Sequence, residues 1–191
     1  QALGLSNEHL QIFMLEIARQ CLVKGGQLVY GGDLRSGGFT ENLLELVRHH
    51  NDALEKNYKP VINHLAWSLK YTLNVAWAAE NKDAIKIEID ECPEDLVAAG
   101  LIVDKNNPGD IGKISGYIWA RCLSNMRNKI IQTTQARIMM GGRTSGFKGK
   151  YPGLVEEALL TLQAKKPLFL LGGFGGASLA ISQALQGERP I

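Results

Sequence analysis

The chain has 191 residues, 45% hydrophobic and 21% charged, with a formal net charge of +2. That is the length of about one domain and the composition of a soluble globule, which excludes a disordered or fibrous protein. No apolar run is long enough to span a membrane, and three cysteines without a C-x-x-C pair leave neither a disulfide framework nor a zinc site, so a cytoplasmic location is expected.

Leu10, Phe13, Met14, Ile17, Ala18, Cys21 and Leu22 follow the i, i+3, i+4, i+7 pattern. They form one face of an amphipathic helix, with Ser6 as N-cap and Gly25-Gly26 as its stop. Cys21 lies on that face and reads as core. No basic region followed by an apolar stretch precedes the helix, so no signal peptide is visible. Folds of this kind usually begin on a strand, so a first strand is expected upstream, in a longer parent protein. Residues 27–30 read as a strand running into Gly31-Gly32. A second helix starts near Phe39 and Thr40 and buries Leu43, Leu46 and Val47. Residues 60–67 read as a strand and 68–81 as a helix. Residues 85–89 alternate apolar and charged side chains like a half-exposed strand. A long loop over 92–112 holds a short helix at 94–99. There follow a long helix over 115–134, a buried strand at 136–140, and a helix over 152–165 with proline in its first turn. A very apolar strand at 167–171 and a closing helix over 174–185 complete the order. Strands alternating with helices imply an α/β fold, a mostly parallel sheet with helices on both faces, in a single domain over 1–191.

Charge and glycine are both concentrated. Residues 111–155 hold no acidic side chain and eight basic ones: Lys113, Arg121, Arg127, Lys129, Arg137, Arg143, Lys148 and Lys150. An anionic partner belongs there, unless the stretch is only a solvated basic face. Thirteen of the 21 glycines fall in three short loops, each between an apolar strand and a helix. In a parallel sheet such loops share the carboxyl edge, where ligands bind and helix N-termini offer free N–H groups. Glycine lets a backbone come close to phosphate oxygens, although it also makes tight turns.

The first loop, Gly31-Gly32-Asp33-Leu34-Arg35-Ser36-Gly37-Gly38, leads into Phe39-Thr40-Glu41. Arg35 can grip phosphate through two parallel hydrogen bonds, Thr40 opens a helix suited to an anion, and Asp33 takes a ribose hydroxyl or caps the turn. The second loop, Gly141-Gly142-Arg143-Thr144-Ser145-Gly146-Phe147-Lys148-Gly149-Lys150-Tyr151-Pro152-Gly153, is basic and hydroxyl-rich, with an aromatic able to stack on a base. Its glycine spacing is not that of a Walker A loop. Glu156 or Glu157 falls in the next helical turn, where an acid complements the helix dipole or holds a ribose hydroxyl. The third loop, Gly172-Gly173-Phe174-Gly175-Gly176, nearly matches G-x-G-x-x-G, with Ser178 in place of the last glycine. His9, His49, His50 and His64 lack metal-ligand spacing, no G-x-S-x-G elbow occurs, and Cys122 beside Arg121 has no assignable base and reads as structural. Trp67, Trp77 and Trp119 read as core or interface residues. No nucleic-acid recognition motif accompanies the basic stretch. No metal or other cofactor is expected.

The combination of Gly31-Gly32-Asp33-Leu34-Arg35-x-Gly-Gly-Phe-Thr-Glu, Gly141-Gly142-Arg143-x-x-Gly-Phe-Lys-Gly and Pro152-Gly153-x-x-Glu156-Glu157 resembles the SLOG superfamily, over nearly the whole chain. The pair of motifs points to a prokaryotic branch. The resemblance implies a Rossmann-like fold and a nucleotide ligand. Lonely Guy members of the superfamily cleave the N-glycosidic bond of nucleoside monophosphates with an Arg and a Glu of P-G-G-x-G-T-x-x-E. This chain differs between the double glycine and Pro152, and only Gly153 and Glu156-Glu157 keep the register. Other members sit behind TIR or sirtuin-like effector domains in bacterial antiphage proteins and sense cyclic ADP-ribose isomers or other nucleotide signals. The resemblance therefore implies a sensor that regulates an attached effector, as a homo-oligomer, with no membrane or nucleic-acid partner. Arg35, Arg143 and Lys148 would pair with phosphates. Gly31, Gly32, Gly38, Gly142 and Gly149 would admit the backbone, and Asp33, Thr40 and Glu156 would take hydroxyl or anion contacts. Phe147 or Phe174 would face the base, and Arg127 would assist. The rival is a nucleotide N-glycosidase using Glu156 and Arg143; a third reading is a nucleic-acid module.

Overall fold

The computed structural model describes residues 5–32, 34, 39–54, 59–107 and 114–190, with only the backbone of 52–54. Asp33, Arg35 and Gly38 of the first loop lie outside the described residues. The chain divides into two compact units, residues 11–114 and residues 1–10 with 115–191. Among the described residues every strand pairing is parallel, as the α/β alternation requires, in one sheet of three strands and one of two.

In the unit of residues 11–114, β1 (Leu28–Gly31), β2 (Val61–Leu65) and β3 (Ile85–Ile89) lie in that order. The register sets Tyr30 and Ile87 beside Asn63, and Gly31 and Glu88 beside His64. The core gathers Ala18 and Leu22 of α1 (Asn7–Val23), Leu43, Leu44 and Val47 of α2 (Phe39–Leu54), and Val61, Ala84 and Ile85. Leu44 belongs to the buried stripe in place of the expected Leu46, which only packs against it. On α1 the buried residues are Ala18 and Leu22, one i, i+4 row; Phe13 is 41% exposed and Cys21 is half-buried. Phe13 and Cys21 stand one residue, about 100°, away from that row, so the apolar face is wider than the surface that covers it.

The helix expected over 68–81 is two pieces. A 3-10 turn, Trp67–Thr72, follows β2 directly and shortens the expected strand to Leu65. Helix α3 (Val75–Glu80) then starts anew, because the Asn74 side chain accepts from the Trp77 amide at 3.1 Å and caps it. Trp67 is buried, its indole donating to Lys105 O at 2.7 Å, and Trp77 packs on the core. Helix α4 (Glu94–Ala98) matches the short helix expected in the long loop.

In the other unit, β4 (Arg137–Met140) pairs with β5 (Leu168–Leu171). Helix α5 (Gly116–Thr133) precedes β4, with Ser115 Oγ accepting from the Ile118 amide as N-cap. Helix α6 (Gly153–Gln163) joins the two strands, and α7 (Gly176–Leu185) closes the unit. Met139, Ala158 and Ile181 form one buried cluster of this unit. Cys122 is buried on α5, as a structural cysteine would be. Strand β4 is not buried throughout: Ile138 is 41% exposed, and its register partner Phe169 on β5 is 55% exposed. Pleating sends alternate side chains to opposite faces, and the Met139 face packs on Ala158 of α6 and Ile181 of α7. The closing helix begins at Gly176 rather than 174, because Gly172–Phe174 is a 3-10 turn and Gly175 has φ +73°. Among the described residues no helix is long and apolar enough to cross a membrane.

Helix α6 ends at Gln163 because Lys165 turns left-handed, with φ +54°. That reversal delivers Lys166 to the end of α5, where its ammonium donates to the carbonyls of Ile131, Gln132 and Thr134. A cation at a helix C-terminus satisfies free carbonyls and the dipole together. Lys166→Met should therefore lower stability by about 1–2 kcal/mol, the range for partly buried geometries of this kind. Chemical denaturation with an unchanged m-value would measure it; a loss below about 0.5 kcal/mol would mean the ammonium is no better placed than a surface charge.

Candidate functional site

Strands β4 and β5 are parallel, so the second and third glycine loops leave the same edge of their sheet. The loops meet through backbone. Gly142 O accepts from the Ala177 amide at 3.1 Å, and Gly141 O from the Ser178 amide at 2.9 Å. Two of the N–H groups at the start of α7 are thus taken by the chain itself. Gly176 has φ +65°, and a Cβ there would stand 2.3 Å from Gly142 O. Gly142 has φ +90°. Ser178, in place of the last glycine of the near-fingerprint, donates to the carbonyls of Leu171 or Gly175 at 3.1 Å and so pins the turn. The close backbone approach that these glycines permit is chain on chain.

Beyond Gly142 the second loop is open. Arg143, Phe147 and Lys148 are all exposed, Phe147 at 41%. The Lys148 ammonium stands over the Trp119 ring, 4.8 Å from its centroid, and Gly149 approaches Ala120, so the loop runs back along the first turns of α5. Lys150 stands over its neighbour Tyr151 at 5.3 Å. These contacts hold two ammonium groups by cation–π attraction. Arg143 has no hydrogen-bond or ion-pair partner among the described residues. Phe174, in the 3-10 turn after β5, is half-buried.

Glu156 and Arg127, both expected at a ligand, face each other. Glu156 Oε2 accepts from Arg127 Nη1 and Oε1 from Ser124 Oγ. Arg127 Nε also lies 3.6 Å from Glu157 Oε1, and Glu157 accepts from Arg137 Nη2. All four charged side chains are between 13% and 21% exposed. Burial first, and the neighbouring Arg127 cation second, pull the Arg137 guanidinium down to about 10, so at neutral pH it stays charged and paired. The cluster sits where Arg127 Nη2 comes 2.7 Å from the position of a Cβ on Gly153, the first residue of α6. A cation at a helix N-terminus is disfavoured by the dipole; here the two glutamates hold it. A cavity of about 10 Å³ between Arg127, Arg137, Glu157 and Thr161 has room for one water and none for a nucleotide. Arg143, the arginine expected to act with Glu156, does not meet it; Arg127 does. Ser124 and Arg137 were absent from the expected site, where Glu157 stood only as the alternative to Glu156, since the contacts that join them span 20 to 32 residues of sequence.

In the unit of residues 11–114, the carboxyl ends of β1 and β2 carry a polar group of their own. Tyr30 hydroxyl donates to Thr40 Oγ1 at 3.0 Å, on the first turn of α2, so this expected anion contact is engaged inside the protein. Burial pushes the Tyr30 phenol above its ordinary value, against hydrogen bonds with Thr40 and Asn63. Asn63 Nδ2 donates to Gly32 O at 3.4 Å. On the other face of β2, His64 Nδ1 lies 3.1 Å from Asp90 Oδ1, with both side chains 3% exposed, and Nε2 lies 3.6 Å from Glu88. Among the described residues no three His, Cys, Asp or Glu side chains are grouped to hold a metal ion.

A family model described as SLOG cluster2 matches residues 1–191. No curated protein and no solved structure matches the chain. Parallel strands joined by helices, glycine loops at their carboxyl ends, and a match across the full length lead to one assignment: the chain belongs to SLOG, a family of nucleotide-related, Rossmann-like domains.

Proposed function

We propose that this SLOG domain senses a nucleotide-derived messenger, of the ADP-ribose or cyclic ADP-ribose class, and regulates an effector domain in the same protein, of TIR or sirtuin-like type, in bacterial antiphage defence. The observation that carries the reading is the second loop. It presents Arg143, Phe147 and Lys148 to solvent at the carboxyl edge of parallel strands, where α/β sheets take their ligands. Arg143 and Lys148 supply the charge for a diphosphate and Phe147 a face for the base. Glu156 is held by Arg127 and Ser124, so it has the donors of a fixed structural carboxylate rather than the freedom of an acid–base catalyst. That favours sensing over N-glycosidic hydrolysis. Messenger binding would act through a change in homo-oligomeric assembly.

A thermal-shift panel of AMP, ADP-ribose, cyclic ADP-ribose isomers and cyclic dinucleotides tests the ligand class. A nucleotide at 100 times its Kd should add about 2.7 kcal/mol of stability. No shift with any member, together with salt-sensitive binding to generic RNA, would replace sensing by nucleic-acid binding. Arg143→Ala should leave stability within about 0.5 kcal/mol, because the side chain is exposed. It should weaken the bound nucleotide by about 1.5–3 kcal/mol, the range for hydrogen bonds to charged groups, and Arg143→Lys should recover only part, lacking the planar fork. Calorimetric titration of the three proteins checks this; unchanged affinity in Arg143→Ala removes the loop from the site.

A further inference from the structure

Asn63 lies in the middle of β2, fully buried, in a strand that is otherwise largely apolar. Its amide has a defined orientation. Nδ2 donates to Gly32 O at 3.4 Å. The Tyr30 hydroxyl gives its single proton to Thr40 Oγ1, so the hydrogen bond that also joins Tyr30 and Asn63 runs from the amide nitrogen to the phenol oxygen. Rotating the amide by half a turn would set its oxygen against the Gly32 carbonyl, two acceptors together. Both amide protons are thus committed, and Oδ1 is left without a partner among the described residues.

A buried acceptor without a donor is a cost to the fold. The position of this one is informative. Gly32 follows β1 and Thr40 stands in the first turn of α2, a helix of 16 residues. Through Gly32 and through Tyr30 the amide that carries the orphaned oxygen is tied to the residue after β1 and to the first turn of α2, and strand carboxyl ends and helix N-termini together accept phosphorylated ligands in such sheets.

We infer that Asn63 is a recognition residue whose Oδ1 accepts a hydrogen bond from a ribose hydroxyl of a nucleotide that has its phosphate towards the start of α2. The inference rests on the nucleotide-sensing reading above. A site built to pair a hydroxyl rejects the analogue that lacks it, because its own acceptor is then left bare.

The experiment is calorimetric titration of the full chain with AMP, ADP-ribose and their 2′-deoxy and 3′-deoxy forms, and with IMP, in wild type and Asn63→Leu. Wild type should lose at least tenfold in affinity for one deoxy form. Asn63→Leu should bind the parent nucleotide at least tenfold more weakly and no longer distinguish that deoxy form. Asn63→Ser carries the same comparison should the leucine variant fail to fold. Equal affinity of Asn63→Leu and wild type for AMP or ADP-ribose overturns the role of Asn63 and leaves nucleotide sensing standing. A penalty confined to IMP assigns the donor to the base amine and overturns the ribose contact. Silence of the wild type toward both AMP and ADP-ribose removes the ligand class on which the inference rests.

Discussion

Gly176→Ala is expected to cost about 2–5 kcal/mol, the largest single loss for any glycine of the third loop. Two costs coincide. The backbone there is left-handed, at φ +65°, which an L side chain tolerates at roughly 1–2 kcal/mol. The new Cβ would also stand 2.3 Å from Gly142 O and 2.9 Å from the Gly141 carbonyl. Both are backbone atoms, and both belong to carbonyls that accept from the first amides of α7. Relieving the clash means moving α7 off the end of β4, and overpacking of this kind costs about 1–3 kcal/mol. Gly116→Ala is the matched control. Gly116 opens α5 with nothing within 4 Å of its Cβ position and no positive φ, so alanine should be neutral or stabilising by about 0.4–1 kcal/mol. Denaturant midpoints of the two variants decide it. A Gly176→Ala protein as stable as wild type would mean that the loop and helix do not approach as closely as described.

The same residue explains why the fold was more legible than the site. Helix α5 could be bounded nearly to the residue, since Ser115 is a capping side chain and Cys122, Met126 and Ile130 mark a buried row at i, i+4. Strand β3 was equally plain, because alternation is a local signal. The break between Thr72 and Val75 was lost in an apolar run, and the Asn74 cap emerged only with the structure. Glycine clustering was legible too, but not its object. A glycine that admits a phosphate and one that admits a carbonyl read alike, and at Gly176 and Gly153 what approaches is Gly142 O and the Arg127 guanidinium. Asn63 gave no warning because one polar residue inside a strand is ordinary; only the loss of every donor around Oδ1 distinguishes it.

Arg127→Met should destabilise the protein by about 3 kcal/mol, near the lower end for breaking a buried ion pair, because its partners keep some contact with water. Removing the guanidinium leaves Glu156 with only the Ser124 hydroxyl and Glu157 with only Arg137. Two partly buried carboxylates on adjacent positions of α6 are then left with one arginine, Arg137, paired to Glu157. Replacing the partner as well separates pair from packing. Arg127→Met with Glu156→Leu removes both charges, and apolar substitution of a whole buried pair is often neutral. The double variant should therefore recover most of the loss, short of the part that Arg127 contributes at 3.6 Å to Glu157. A second coupling follows from the space the guanidinium fills. Gly153→Ala puts a Cβ 2.7 Å from Arg127 Nη2, so it should be costly in wild type and nearly free in Arg127→Met, a coupling of about 0.5–3 kcal/mol for residues in contact. Double-mutant cycles from urea denaturation measure both terms. If Arg127→Met costs less than about 0.5 kcal/mol, the pair is a surface contact, Glu156 is free to act on a nucleotide, and the argument from its engaged carboxylate against hydrolysis is lost.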